Sequence, residues 1–302
     1  MSLQQLEDII GRFTAVKDGW SETVALERMR EDLDRFHQGF PPAPGFASRP
    51  ISAAGVPAEW IDASGSALPS SRVLLYMHGG GFAVGSLAAS RHFCSHLAAA
   101  TECRVLVIGY RLAPEHAFPA ALEDASSAYA WLLAQSVAPS RIVLAGDSAG
   151  GGLVLSLLRE LTCERSAGLP ACAVLMTPWA DLRCGGESYT TNRDKDPIAN
   201  REMAQMLAAT YLGVRGRPDD PRASPLLGRF SGFPPLLIQA AGRDVFMDDA
   251  AVIHARASAA GVESELDQEP EMIHQWQLYC TQLDEGRRSL ERMALFIDRH
   301  VH

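Results

Sequence analysis

The chain alternates between two patterns of hydrophobic positions. Short apolar runs, which are typical of buried strands, are followed by longer segments whose apolar residues recur at helical spacing. Strand–helix alternation of this kind favours a mostly parallel sheet with helices packed on its faces. Segments 120–135 and 201–212 are predicted helices, and strands are predicted at 56–61, 73–77, 105–108, 141–145, 171–176, 236–240 and 263–268.

Two segments do not fit this alternation. Residues 1–45 form an amphipathic helical pattern that ends in the proline-rich stretch at 41–44. Residues 185–222 are too long for an ordinary crossover between strands. The remaining pattern suits one large α/β domain over 46–302, because the 302 residues are 47% hydrophobic and can bury a substantial core.

Net charge and cysteine spacing limit the partners and the cellular location that are expected for the protein. The net charge is −9 and no basic block is present, which disfavours nucleic acid and anionic membrane surfaces as partners. No apolar leader and no run of about 18 apolar residues is visible, so neither a secretory signal nor a membrane span is expected. The six cysteines show no metal-ligand spacing, which predicts free thiols, no metal site and a cytoplasmic location.

Residues 146–150 read GDSAG, between an apolar strand pattern and a helical one. In that context a G-x-S-x-G pattern indicates a nucleophile elbow, in which a sharp turn exposes the serine hydroxyl at the carboxyl edge of the sheet. The alternative is a glycine-rich turn that merely contains a serine. Ser148 is therefore the candidate nucleophile.

A second glycine-rich motif, HGGGF at 78–82, follows the predicted strand at 73–77. Acyl transfer places negative charge on a carbonyl oxygen, and glycines allow backbone N–H groups to approach that oxygen closely. The candidate loop donors are Gly79, Gly80 and Gly81. The residue after the nucleophile, Ala149, supplies a further N–H group. His78 is expected to brace this loop by hydrogen bonding.

The general base and its acid should follow the serine in the order acid, then histidine. His274 lies on a loop after the last predicted strand, whereas His254 lies in an amphipathic helical pattern. Asp244 ends the strand at 236–240 and is the predicted acid on strand-end geometry. Asp248 and Asp249 are its rivals, but an acid in the first turn of a helix is also expected for capping.

With these motifs in view, the chain resembles the hormone-sensitive-lipase-like esterases, bacterial family IV of the α/β hydrolases, from about Val73 to the end. The resemblance rests on HGGGF, GDSAG, the linker YRLAPEHAFPAALED at 110–124, PWADL at 178–182, and the segments around Asp244 and His274. It implies the α/β-hydrolase fold with an eight-stranded, mostly parallel sheet. It also implies a helical cap formed by 1–45 and about 185–222. One departure is Gln275-Trp276 after the histidine, where many members have a small or branched residue.

The resemblance further implies carboxylesterase activity with Ser148, Asp244 and His274 as triad, no cofactor, a small-molecule ester substrate and a homodimer through the last strand and helix. A capped pocket of limited depth predicts short- to medium-chain acyl esters. A lactone, amide or carbamate hydrolase with the same triad stays an alternative, as does a non-catalytic receptor on this fold. The candidate pocket residues are Phe82, Trp179, Met203 and Leu207, although all four could be ordinary core residues.

Overall fold

The computed structural model describes residues 3–19, 25–63, 71–164 and 168–301. Parts of the predicted N-terminal segment, at 1–2 and 20–24, lie outside the described residues, as do three other stretches of the predicted catalytic domain. All descriptions below refer to the described part of the chain.

The centre of the fold is an eight-stranded sheet with the order β1-β2-β4-β3-β5-β6-β7-β8. The pairs β1–β2 and β2–β4 are antiparallel, and every other neighbouring pair is parallel. The predicted eight-stranded, mostly parallel sheet is confirmed. Its strands are β1 Ala47–Ala53, β2 Val56–Asp62, β3 Val73–Met77, β4 Arg104–Ile108, β5 Ile142–Asp147, β6 Cys172–Met176, β7 Leu236–Ala241 and β8 Ser264–Glu269.

Strand β1 is absent from the set of strands that the hydrophobic pattern predicted. Its first four residues are exposed and Pro50 lies in its middle, so it carries neither an apolar run nor a clear alternation. A proline is tolerated there because β1 is an edge strand, paired on one side only. A tight turn with positive φ at Ala54 and Gly55 joins it to β2.

The helices cover both faces of the sheet. Strand β3 shows how its side chains divide: Leu74 and Tyr76 face a core shared with α3 and α9, whereas Val73, Leu75 and Met77 face a core shared with α4, α5 and α8. The predicted helices at 120–135 and 201–212 are confirmed as α4 and α7. The helices are α1 Leu3–Lys17, α2 Leu26–Gln38, α3 Leu87–Thr101, α4 Ala120–Ala134, α5 Ala149–Glu164, α6 Ser188–Thr191, α7 Arg201–Leu212, α8 Met247–Ala259 and α9 Asp284–His300.

A third apolar cluster lies at the carboxyl edge of the sheet. Helices α1 and α2 contribute Leu6, Phe13 and Phe36, which pack with residues of the 272–283 stretch such as Trp276. Ile198, from the second segment, joins the same cluster. The N-terminal helices are therefore packed against the stretch that carries His274 and against the end of β7 at Ala241.

Candidate active site

Ser148 occupies the sharp turn between β5 and α5. Its φ of 52° lies in the left-handed region, which is strained for a residue with a side chain. The glycines on either side leave no room for a Cβ: one built on Gly146 would lie 2.5 Å from the Gly150 backbone, and one on Gly150 would lie 2.0 Å from Met77 O. The turn therefore requires glycine at both positions, and it directs the serine out of the end of β5.

The structure brings Ser148, His274 and Asp244 together in one hydrogen-bonded chain. The imidazole Nε2 lies 2.9 Å from Ser148 Oγ, and Nδ1 lies 2.8 Å from Asp244 Oδ2. The other carboxylate oxygen of Asp244 accepts a hydrogen bond from the N–H of Phe246 at 2.8 Å. All three side chains are buried. This arrangement fixes which imidazole nitrogen faces the serine.

The rival residues are engaged elsewhere. Asp249 accepts hydrogen bonds from the N–H groups of Ala180 and Asp181, and burial raises its pKa to about 8. Asp248 accepts from the N–H of Ser188 at 2.8 Å. His254 Nδ1 lies 2.9 Å from Ser264 Oγ. Asp249 and its neighbour thus fix the loops around the second segment, and His254 lies beside strand β8.

The glycine-rich loop at 78–82 contains two glycines in left-handed or related conformations, Gly80 with φ 107° and Gly81 with φ 60°. No hydrogen bond within the described residues engages their N–H groups. Ala149 is the first residue of α5, so its N–H has no partner in its own helix. Within the described part of the chain, these three N–H groups therefore have no hydrogen-bond partner.

Gly79 differs from the other loop glycines, and its predicted role as a donor is wrong. Its N–H donates to Asp147 Oδ1 at 2.9 Å and is therefore occupied. A Cβ at this position would come within 2.3 Å of the other Asp147 oxygen, which explains the need for glycine. His78 braces the loop as expected: Nδ1 lies 2.7 Å from Gly79 O, and the ring stacks on Tyr110.

A largely apolar cleft, open to solvent, leads to Ser148. Trp179 and the α7 residues Met203 and Leu207 line it, so three of the four predicted pocket residues border the site. Phe82 does not, which corrects that prediction. Its ring stacks on that of Tyr211 instead, with the ring centroids 3.8 Å apart.

Helices α1 and α2 contribute cleft residues that were not predicted from the sequence. Phe13, Met29 and Leu33 line the cleft together with Phe246, which follows the acid by two positions. In the sequence, Phe13, Met29 and Leu33 belong to the apolar stripe of an amphipathic helical pattern. Such a stripe predicts a buried helix face but does not show which surface that face covers.

Three carboxylates influence His274. Burial alone would lower the pKa of its imidazole, but the negative charges of Asp244, Asp196 and Asp147 more than offset burial and raise that pKa above its ordinary value. Asp147 also accepts hydrogen bonds from the Tyr76 hydroxyl and from the Gln275 side-chain amide. The unusual Gln275 thus connects the histidine loop to the residue before the nucleophile.

Within the described residues, no group of three His, Cys, Asp or Glu side chains is placed to hold a metal ion. The same part of the chain contains no helix that is long and apolar enough to cross a membrane.

Comparison with known proteins shows the family to which the chain is related. Residues 74–278 match the model of a family described as having the alpha/beta hydrolase fold. An acetyl-hydrolase of Streptomyces hygroscopicus is 43% identical over 242 residues, which is 80% of this chain and 79% of that protein. An esterase of Acinetobacter venetianus is 33% identical over 90% of this chain and 89% of that protein. The crystal structure of an esterase from the bacterial hormone-sensitive lipase family superposes with a TM-score of 0.94 at 39% identity, covering 100% of both chains.

The chain therefore belongs to the hormone-sensitive-lipase-like esterases of the α/β-hydrolase family. It is a carboxylesterase, an enzyme that hydrolyses small-molecule carboxylic esters.

Proposed function

We propose that Ser148 is the nucleophile, His274 the general base and Asp244 the acid that orients it. The observation that carries this assignment is the hydrogen-bonded chain from Ser148 Oγ through both imidazole nitrogens to Asp244. Gly80, Gly81 and Ala149 are the proposed oxyanion donors, because the two glycines line the cleft beside Ser148, Ala149 directly follows it, and no hydrogen bond within the described residues engages their N–H groups.

The reaction follows from these positions. Nε2 of His274 takes the hydroxyl proton as Ser148 Oγ attacks the ester carbonyl, and the three N–H groups bind the resulting oxyanion. Asp244 stabilises the imidazolium. The imidazolium then gives its proton to the leaving alcohol, and an acyl-enzyme remains. Water, deprotonated by His274, then attacks the acyl-enzyme. The imidazolium returns the proton to Ser148 Oγ as the bond between Oγ and the acyl carbon breaks and the carboxylic acid product leaves.

The N-terminal segment and residues 185–222 are proposed to form a cap over this site. Both contribute residues to the cleft: Met29 and Leu33 come from α2, and Met203 and Leu207 come from α7. Cap closure limits the depth of the cleft and excludes water from the reacting atoms. The limited depth of the cleft supports esters with acyl chains of about two to eight carbons as the preferred substrates. The acetyl-hydrolase relative is consistent with a short acyl group.

A panel of aryl esters with graded acyl chains tests the preference. Turnover should be highest at about two to eight carbons and poor at sixteen carbons, because the proposed cap limits the depth of the cleft. Amide and lactone analogues of the best ester should be measured beside it. Efficient hydrolysis of the sixteen-carbon ester would contradict the proposed closure.

Leu207 is expected to set part of the chain-length limit. It packs so closely on the glycine loop that a Cβ on Gly81 would lie 2.5 Å from Leu207 Cδ1. Leu207→Ala should raise kcat/KM for longer esters by about fourfold for each methylene that the new space admits. Met206→Ala is the matched control, since Met206 is on the same helix but is 49% exposed. Equal profiles for the two variants would remove Leu207 from the pocket wall.

The pH dependence of kcat/KM should show the pKa of His274, the proposed general base. Because the carboxylates raise the pKa of His274, the acidic limb of kcat/KM should have its midpoint above about 6.5, the ordinary value for histidine. Activity requires the neutral imidazole, so it rises with pH through this limb. A midpoint well below 6 with a chemically limited substrate would show that burial, and not the carboxylates, dominates.

A homodimer is proposed through β8 and α9. Strand β8 is an edge of the sheet with an unpaired side, and Leu295 on α9 is 63% exposed. Light scattering should give twice the 32.6 kDa of one chain, and Leu295→Arg should reduce the mass to that of the monomer. Val214→Arg, at an exposed site in the second segment, should leave the dimer intact.

The cytoplasm is the proposed location, supported by six free thiols.

A further inference from the structure

Asp196 is a buried carboxylate that the proposed mechanism does not use. It lies in the irregular stretch between α6 and α7, and its side chain is 7% exposed. No arginine or lysine forms a salt bridge with it in the described residues. A buried charge without such a partner is costly unless hydrogen bonds compensate it, so its contacts deserve an explanation.

Its two oxygens hold two different parts of the site. Oδ1 accepts hydrogen bonds from the N–H groups of Ile198 and Ala199 at 2.8 and 3.0 Å. Oδ2 accepts one from the N–H of Val245 at 3.0 Å. Ile198 and Ala199 line the cleft, whereas Val245 directly follows the acid Asp244. One carboxylate thus joins the cleft wall to the turn that carries the acid.

The same region is tied to the N-terminal segment. The Lys17 ammonium group, at the end of α1, donates to Pro197 O at 2.9 Å. The charged groups that face Asp196 are therefore Asp244 and His274, from the acid and base loops, and Lys17 from α1. Asn192 Nδ2 adds a neutral bond from the second segment to Asp244 O at 2.8 Å.

We propose that Asp196 is a positioning residue for ester hydrolysis, which fixes the acid turn against the cleft wall and adds a second negative charge to the Asp244–His274 pair. The proposal rests on the triad assigned above. It explains why a carboxylate, and not a neutral amide, occupies the position: both oxygens must accept hydrogen bonds, and an amide presents an N–H group to one of the three donors.

The charge has a direct consequence for the base. When His274 takes the serine proton, the imidazolium that forms is stabilised by the nearby negative charge of Asp196. Burial, followed by repulsion from Asp244, raises the pKa of Asp196 to about 6. As the pH falls through that value the charge is lost, and the imidazolium loses this stabilisation. The two groups therefore titrate as a coupled pair.

Asp196→Asn tests the proposal, with kcat and KM for a short acyl ester measured across pH. Removing the charge should lower the pKa of the base, so the acidic limb should move about one unit to lower pH. Misplacement of the acid turn should reduce kcat, by up to about 10²-fold. Asp124→Asn is the matched control, because Asp124 is also buried and accepts a backbone N–H, from Arg111, but faces no residue of the triad. Its limb should not move.

If Asp196→Asn lowers kcat but leaves the acidic limb of the pH profile at its wild-type position, Asp196 has only a structural role. That result would overturn the proposal. So would an Asp196→Asn enzyme with wild-type kcat and limb. His274→Gln, measured beside Asp196→Asn, distinguishes failure of the triad assignment from failure of the role proposed for Asp196. If His274→Gln stays active, the triad assignment fails. If it is inactive while Asp196→Asn behaves as wild type, only the role of Asp196 fails.

A measurement on the wild-type enzyme covers the case in which Asp196→Asn does not fold. The labelled imidazole of His274, followed by NMR between pH 5 and 8, should show two titration steps, its own and a smaller one from Asp196. A single step would contradict the coupled pair.

Discussion

Ser148→Ala should reduce kcat by about 10⁶, nearly to the level of the reaction without the triad. The substitution removes the atom that forms the acyl-enzyme, and His274 then has no hydroxyl to deprotonate. The fold should be unaffected, because the change deletes one oxygen at the edge of the cleft. The measurement is turnover of a short-chain aryl ester at neutral pH by both proteins, with matched thermal unfolding curves.

Ser156→Ala is the control for this experiment. Ser156 is buried in α5, the helix that begins just after the nucleophile, but it lies outside the site. It should keep near wild-type turnover. An organophosphonate should label wild-type enzyme at Ser148 and leave Ser148→Ala unlabelled. Labelling at another serine, or an active alanine variant, would end the assignment.

The residues at strand ends were the part of the site that the sequence could reveal. Carboxyl ends of parallel strands meet at one edge of the sheet, so a serine after β5 and an aspartate after β7 had to lie near each other. The GDSAG motif added a local constraint, since the turn between strand and helix accepts only glycine on either side of Ser148. These arguments need only the order of elements, which hydrophobic patterning predicts well.

The sequence pattern did not predict which way individual N–H groups and side chains point. Gly79 and Gly80 are neighbours in one motif, yet the N–H of Gly79 is taken by the Asp147 carboxylate and that of Gly80 is not. Phe82 stacks on Tyr211 and does not line the cleft. Asp196 lies in a stretch without periodicity, and one of its three hydrogen bonds requires the approach of Val245, which is 49 positions away in sequence. Such outcomes depend on tertiary contacts rather than on local pattern.

Asp244→Asn should lower kcat by about 10⁴. In the wild-type enzyme the Asp244 carboxylate accepts a hydrogen bond from Nδ1–H of His274, with Nδ1 and Oδ2 2.8 Å apart. This keeps the proton on Nδ1 and leaves Nε2 free to take the serine proton. An amide that turns its NH₂ group toward Nδ1 favours the opposite tautomer, with the proton on Nε2 facing Ser148. The imidazolium also loses its principal counter-ion, so the pKa of the base should fall and the remaining activity should extend to lower pH.

The rival carboxylates supply the controls that make this result specific. Asp248 accepts a hydrogen bond from the N–H of Ser188, and Asp249 binds the loop at 180–181. Asp248→Asn should therefore retain kcat and the wild-type acidic limb. Asp249→Asn should retain the limb, because burial already raises the pKa of Asp249 to about 8 and keeps it largely neutral at pH 7. If Asp248→Asn or Asp249→Asn lost 10⁴ in kcat while Asp244→Asn did not, the acid would have to be moved from the end of β7 to the first turn of α8.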